Sequence, residues 1–339
     1  MEPAQRRIPV NLLTGFLGSG KTSLLGRLLR EPAFAECAVL VNELGEVGLD
    51  HHLLESVSGL DAVILENGCI CCSVRDDLQR ALADLYERRS RGLIPAFNRV
   101  VIESTGMADP VPVLGTIVAD AVLRHHFRIG NVITTIDAVH ALDQLSGYVE
   151  SRRQAAVADR LVITKADLVD GPQLDAVRAA VQHVNASAQL VVSGGDVCDA
   201  DILLAEDLGD ARFQANEAQR WLAALQAAGA AARQSPDVPP HGDITTLALS
   251  FDAPLDWVAF GIWLTMLMHR LGPDLLRVKG ILNVQGADLP LVVHGVQGMM
   301  HPPVHLPAWP DADRRSHLVL IGRLPPAQRL RDSLSAFQT

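Results

Sequence analysis

Directly after its first apolar run, the 339-residue chain reads Gly15-Phe16-Leu17-Gly18-Ser19-Gly20-Lys21-Thr22. This matches Gly-x4-Gly-Lys-Ser/Thr, in which glycines turn backbone N–H groups toward a polyphosphate and the lysine reaches the terminal phosphates. The Thr22 hydroxyl takes a Mg²⁺ position. A glycine-rich turn with an incidental lysine is disfavoured, because the chain has only three lysines. The residues predicted to bind the nucleotide here are Gly15, Gly18, Ser19, Gly20, Lys21, Thr22 and Ser23.

Short apolar runs rich in Val and Ile alternate with longer amphipathic stretches through the first 193 residues. Such alternation predicts a mostly parallel, doubly wound sheet covered by helices, the α/β fold of P-loop NTPases. The predicted strands are 8–14, 38–42, 62–65, 100–103, 131–137, 160–164 and 190–193. The predicted helices are 21–30, 73–91, 110–124 and 172–185.

The character of the sequence changes after residue 207. An Ala/Gln-rich helical piece at 215–232 and a proline-rich stretch at 235–240 predict a linker at 208–243. The remainder, 244–339, predicts a small α+β domain with a largely antiparallel sheet. Its predicted strands are 244–251, 276–284, 291–296 and 317–321, with helices from residues 256 and 326.

Composition excludes several classes of protein. A net charge of −10, with no basic block, argues against nucleic acid as a partner. The longest apolar run, 257–268, is short against the ~20 residues that cross a bilayer, and the N-terminus does not read as a signal peptide. We therefore expect a cytoplasmic globular protein with no membrane partner.

A second motif, Thr164-Lys165-Ala166-Asp167, follows a predicted strand. The two oxygens of Asp167 suit the paired N–H donors of guanine, which adenine lacks. Thr164 departs from the more usual asparagine, and a surface Lys-x-Asp at a helix entry is the alternative. The motif predicts GTP rather than ATP.

The strand ending in Glu103 supplies a carboxylate for Mg²⁺, and Gly106 follows three residues on. The Gly106 N–H is placed to contact a γ-phosphate and sense hydrolysis, as in a switch loop. A strand ending in a solvated turn is the alternative. The loop at 42–50 resembles another switch, although an ordinary polar connection is also open. The acidic residues of this loop are Glu43, Glu46 and Asp50.

Three of the five cysteines lie within four residues, as Cys69, Cys71 and Cys72. They precede a predicted helix, whose N-terminus favours thiolates and thus a soft or borderline ion such as Zn²⁺. Three sulfurs leave one tetrahedral position for another ligand, which suits a site that hands metal on. A closed structural site, a redox pair and plain buried cysteines stay open. Cys37 and Cys198 are expected to be inert.

In order and approximate spacing these motifs resemble the CobW family of metal-handling GTPases, relatives of the hydrogenase and urease nickel GTPases. The resemblance spans 8–193 and resumes at 277–280 and 294–303.

This resemblance implies a slow GTPase that acts as a metallochaperone for a client metalloprotein, with zinc as the first candidate metal and cobalt as the second. It implies GTP/GDP and Mg²⁺ as ligands, with Thr22 and Glu103 on Mg²⁺. It also implies the three acids of the loop at 42–50 as weaker candidates for oxygen ligands of a metal: Glu43, Glu46 and Asp50. Lys21, Glu103 and Gly106 would serve hydrolysis.

Two other functions stay open: a P-loop transferase or kinase with a structural zinc, and a regulatory nucleotide-binding module. The oligomeric state is open as well, a homodimer included. His294, His301 and His305 either form a weak second metal site or are surface and strand-edge histidines.

Overall fold

A computed structural model describes residues 7–34, 36–41, 63–66, 74–193, 203–204 and 244–337. They fall into two compact units. The first comprises Met1–Gln144, Ala158–Asp175 and Leu190–Ala205, and the second comprises Leu145–Val157, Ala176–Gln189 and Glu206–Thr339. The whole of the predicted linker at 208–243, with its helical piece at 215–232, lies outside the described residues, so the linear boundaries stay a prediction.

A seven-stranded sheet forms the centre of the first unit, in the order β3-β2-β4-β1-β5-β6-β7. Its pairings from β1 to β6 are parallel. The predicted mostly parallel sheet is confirmed. The strands are β1 (Ile8–Gly15), β2 (Cys37–Val41), β3 (Val63–Glu66), β4 (Arg99–Glu103), β5 (Phe127–Asp137), β6 (Arg160–Thr164) and β7 (Gln189–Val192).

Seven α-helices are described up to residue 193. They are α1 (Lys21–Leu28), α2 (Val74–Ser90), α3 (Pro110–Ala119), α4 (Ala121–His126), α5 (Ala141–Gly147), α6 (Val149–Val157) and α7 (Gly171–Val184). Helix α1 buries Leu24, Leu25 and Leu28 against apolar side chains of the sheet. Each such leucine contributes about 1.5–3 kcal/mol through its removal from water.

The prediction of a single helix at 110–124 is wrong, because the structure has two helices there, α3 and α4, separated at Asp120. The Asp120 backbone is extended, with ψ 128°, and its carboxylate accepts a hydrogen bond of 2.7 Å from the Leu123 N–H. The acid therefore acts as the N-cap that starts a new helix.

Parallel strands bring their carboxyl ends to one edge of the sheet, where α/β proteins bind ligands. At this edge β1, β4, β5 and β6 end in Gly15, Glu103, Asp137 and Thr164. Loops that follow these strands are thereby held next to one another.

A six-stranded antiparallel sheet forms the centre of the second unit, in the order β11-β10-β9-β13-β8, with β12 paired to β10. Helices α8 (Trp257–Leu271) and α9 (Ala327–Ser335) accompany it. The predicted α+β character is confirmed, although β11 and β12 were not predicted. The strands are β8 (Thr245–Phe251), β9 (Leu275–Leu282), β10 (Leu291–Val296), β11 (Met299–Met300), β12 (Val304–His305) and β13 (Ser316–Gly322).

Helix α8 buries Phe260, Trp263, Leu264 and Leu267, spaced to form one face, in the core of this sheet. No helix among the described residues is long and apolar enough to cross a membrane.

Asn11 is a buried polar residue of the largely apolar β1, at the point where the register against β5 shifts between Val10 and Leu12. Its Oδ1 accepts from the Asn131 N–H at 2.9 Å, and its Nδ2 donates to the Val100 carbonyl at 3.4 Å. The side chain is buried at 4% exposure. The amide thus gives the Asn131 N–H an acceptor at the irregularity.

We predict that Asn11→Ala lowers the free energy of unfolding by about 1–3 kcal/mol, because a buried strand loses a hydrogen-bond partner. Urea unfolding followed by circular dichroism measures the change. The matched control is Asn98→Ala, which removes an exposed amide bonded to Glu36, with an expected change within about 0.5 kcal/mol. Equal losses in the two variants would contradict the role given to Asn11.

Candidate nucleotide site

The phosphate loop follows β1 and requires its glycines. Gly15, Gly18 and Gly20 have φ of +144°, +70° and +84°, in the region that L-residues rarely adopt. A Cβ on Gly15 would lie 2.6 Å from the Thr135 carbonyl oxygen and 2.7 Å from the Ser19 Oγ. The loop is therefore packed directly against β5.

Two hydroxyls fasten the loop to neighbouring strands. The Ser19 Oγ lies 2.6 Å from the Thr135 Oγ1 in a buried hydrogen bond. The Thr164 Oγ1 donates to the Ser19 carbonyl at 2.8 Å and lies 3.2 Å from the Ile136 carbonyl. Because both anchors meet at Ser19, the ends of β5 and β6 hold the loop from one side.

Lys21 starts α1, directly after the last glycine of the loop. Its Nζ donates to the carbonyls of Gly15 and Phe16 at 3.1 and 3.3 Å. The ammonium group is therefore folded back over the loop, where polyphosphate oxygens are expected to lie.

Thr22 and Glu103 meet across α1 and β4. The Thr22 hydroxyl donates to the Glu103 Oε1 at 2.7 Å, and Glu103 is 1% exposed. A hydroxyl and a carboxylate side by side are hard oxygen ligands of the type that Mg²⁺ prefers. The residues present fit the predicted ion.

Gly106 lies against the phosphate loop. A Cβ at this position would be 2.8 Å from both the N and the Cα of Leu17, closer than real contacts allow. The segment after β4 therefore contacts the backbone of the loop, and only glycine permits this approach.

The guanine motif follows β6 in a short 3-10 turn, Ala166–Leu168. Lys165 precedes the turn with φ +54°, a left-handed conformation, and Asp167 is exposed within it. An exposed carboxylate is available to a base, and Thr164 joins this loop to the phosphate loop.

Sequence reasoning missed Asp137, the last residue of β5. Its Oδ2 accepts from the Lys165 Nζ at 2.7 Å and lies 3.1 Å from the His140 Nδ1, while its Oδ1 accepts from the Val139 N–H at 2.9 Å. Burial opposes ionisation, but the hydrogen bonds from Lys165, His140 and Val139 outweigh it and hold the Asp137 pKa below its ordinary value. An acid ending a buried strand, as Glu103 does, was the available signal.

The metal-side predictions lie outside the described residues. These are Glu43, Glu46, Asp50, Cys69, Cys71 and Cys72. Cys198 lies outside as well. Cys37 is described as a buried free thiol, and burial raises its pKa to about 12. A thiol that resists ionisation is a poor metal ligand, in keeping with the inert role expected of it.

The second-unit histidines are engaged with protein groups. His294 and His301 stack with ring centroids 4.6 Å apart, and the His294 Nε2 lies 2.9 Å from the Arg277 Nη2. His305 is exposed, with its Nδ1 3.3 Å from the Leu289 carbonyl. Within the described ranges, no three His, Cys, Asp or Glu side chains gather as a metal site would require.

Models of two known protein families match two successive stretches of the chain. The model of the CobW/HypB/UreG nucleotide-binding domain matches residues 9–192, and that of the cobalamin synthesis protein cobW C-terminal domain matches residues 244–338. The zinc chaperone YjiA of Escherichia coli (strain K12) is 32% identical over 332 residues, covering 98% of this chain and 99% of that protein.

Two further comparisons extend this result. The zinc-regulated GTPase metalloprotein activator 1 of Schizosaccharomyces pombe is 35% identical over 194 residues, which cover 54% of this chain and 45% of that protein. The crystal structure of the Zn(II)-bound YjiA GTPase from E. coli superposes with a TM-score of 0.70 at 26% identity, covering 98% of this chain and 100% of that one. The chain therefore belongs to the CobW/HypB/UreG family and is a GTPase.

Proposed function

We propose that the protein is a metallochaperone that binds Zn²⁺, with Co²⁺ as the second candidate, at Cys69, Cys71 and Cys72. It passes the ion to a client metalloprotein under control of its GTP cycle. Support comes from relatives named a zinc chaperone and a zinc-regulated metalloprotein activator. The donor chemistry agrees, since three thiolates suit a borderline ion and leave one ligand position open.

One observation carries the proposal: the strand that precedes the thiols in the sequence ends at the sheet edge that holds the nucleotide loops. Strand β3 ends at Glu66 and pairs in parallel with β2, and Cys69 follows three positions later. Three strand spacings, about 14 Å, separate β3 from β1. On this basis we expect the metal and the nucleotide to bind close enough for each to affect the binding of the other.

In this proposal the phosphate loop, with Lys21, binds the phosphates of GTP. Thr22 and Glu103 would hold Mg²⁺, which neutralises phosphate charge when bound. Gly106 offers its N–H to the γ-phosphate, and its contact with Leu17 transmits loss of that phosphate to the segment after β4. Asp167 accepts from the guanine N–H donors.

We predict that Asp167→Ala lowers GTP affinity about 10- to 100-fold, because two hydrogen bonds to a charged acceptor are lost. ATP affinity should stay unchanged, which makes ATP the internal control in a competition titration. Asp170→Asn, an exposed helix-cap acid on the same loop that keeps its cap, should bind GTP normally. Equal GTP and ATP affinities in the unaltered protein would instead favour the kinase or transferase reading.

Gly106→Ala should slow GTP hydrolysis at least about 10-fold, because the added methyl pushes the N–H away from its working position. Phosphate release under single-turnover conditions measures the rate. Gly147→Ala is the matched control, since a Cβ there meets no described atom within 4 Å. Unchanged hydrolysis in Gly106→Ala would contradict the contact proposed with the γ-phosphate.

Elemental analysis of protein purified without added metal should find zinc, and changing Cys69, Cys71 and Cys72 to Ser should remove it. The control variant Cys37→Ala should keep the zinc.

In metal titrations we expect the metal affinities of the GDP and GTP-analogue states to differ at least about fivefold. Identical affinities in nucleotide-free, GDP and GTP-analogue protein would refute the coupling.

A further inference from the structure

We infer that Asp137 is a positioning residue for base recognition, which fixes Lys165 and so orients the turn that presents Asp167 to guanine. The inference deepens the proposed function and rests on the proposed contact between Asp167 and the base.

Asp137 is built as an anchor. Its side chain is 2% exposed, whereas those of Lys165 and His140 are 36% and 60% exposed. Every hydrogen bond described for its carboxylate comes from the loops after β5 and β6. A buried carboxylate with such bonds keeps its charge and has little freedom to move.

Lys165 needs an anchor because its backbone is unfavourable. A lysine at φ +54° is crowded by its own Cβ, and surrounding contacts must compensate. The 2.7 Å ion pair to Asp137 is one such contact. On the other side, the Thr164 hydroxyl bonds to Ser19. Together these two contacts hold Lys165 through its side chain and through the residue that precedes it.

The backbone of Lys165 sets the direction of the turn that follows. Its carbonyl accepts from the Leu168 N–H at 3.1 Å, which closes the turn around Asp167. Asp167 is exposed, with no described hydrogen bond of its own side chain. The direction of the Asp167 carboxylate therefore depends on the conformation of the turn, and that conformation depends on the backbone of Lys165.

The ion pair also shapes the lysine side chain. With the ammonium group fixed on Asp137, the four-carbon stem is held still beside the turn as an apolar surface. A flat purine ring packs well on such a surface. A lysine stem with a compact charge suits this geometry, in a chain that otherwise uses arginine almost throughout.

Affinity for Mg-GDP and for inorganic pyrophosphate tests the inference, because pyrophosphate needs only the phosphate loop. Asp137→Asn keeps the shape of the side chain and should lower GDP affinity about 10- to 100-fold. Pyrophosphate affinity should stay within about twofold. Lys165→Met should behave alike, and the double variant should lose no more than the worse single variant, since the two residues act through one contact.

Asp170→Asn is the control, with unchanged affinity for both probes. Parallel loss of GDP and pyrophosphate binding in Asp137→Asn would show a general structural role and overturn the inference, as would additive losses in the double variant. Normal GDP binding by Asp137→Asn, together with a defect in Asp167→Ala, would refute the positioning role alone. Normal GTP selectivity in Asp167→Ala would overturn both the base contact and this inference.

Discussion

The nucleotide site depends on the way a strained loop is fixed to a rigid sheet. Three glycines give the phosphate loop a backbone that other residues resist, and such a backbone holds its shape only when neighbours fasten it. Ser19 is the point of attachment, through the hydroxyls of Thr135 and Thr164. Because these anchors come from β5 and β6, the phosphate loop and the guanine motif share one mechanical support.

On the side that faces β4, the phosphate loop makes contacts of another kind. There Gly106 touches Leu17 with no room for a side chain, and Glu103 accepts a hydrogen bond from the Thr22 hydroxyl. The loop is thus fastened through hydroxyls on the side of β5 and β6, and on the side of β4 it lies in close backbone contact with the segment around Gly106.

Much of the architecture was predictable because strands buried on both faces read as continuous apolar runs. Helices α5 and α6 were not predicted. The buried residues of α6 include the polar Ser151 and Gln154 beside alanines, so its sequence does not show the period of an apolar helix face. The break at Asp120 depends on one capping carboxylate. Strands β11 and β12 are two residues each, too short to show alternation.

Within the site, the phosphate loop and the guanine motif could be predicted because each consists of neighbouring residues that bind the same part of the nucleotide. The role of Asp137 was not predicted because its partner Lys165 lies 28 positions away, and no short sequence pattern joins the two residues. The acidic and thiol ligands expected from the sequence lie outside the described residues, so the metal side of the site stays a prediction.

The second unit is assembled from three separated segments of the chain. Arg277, buried in its sheet, donates to the carbonyl of Val157 at the end of α6, 120 positions earlier. During synthesis α6 emerges long before the strand that completes its surroundings. A single proteolytic cut cannot release either unit whole, and an N-terminal fragment that stops before β9 would expose the end of α6 to water.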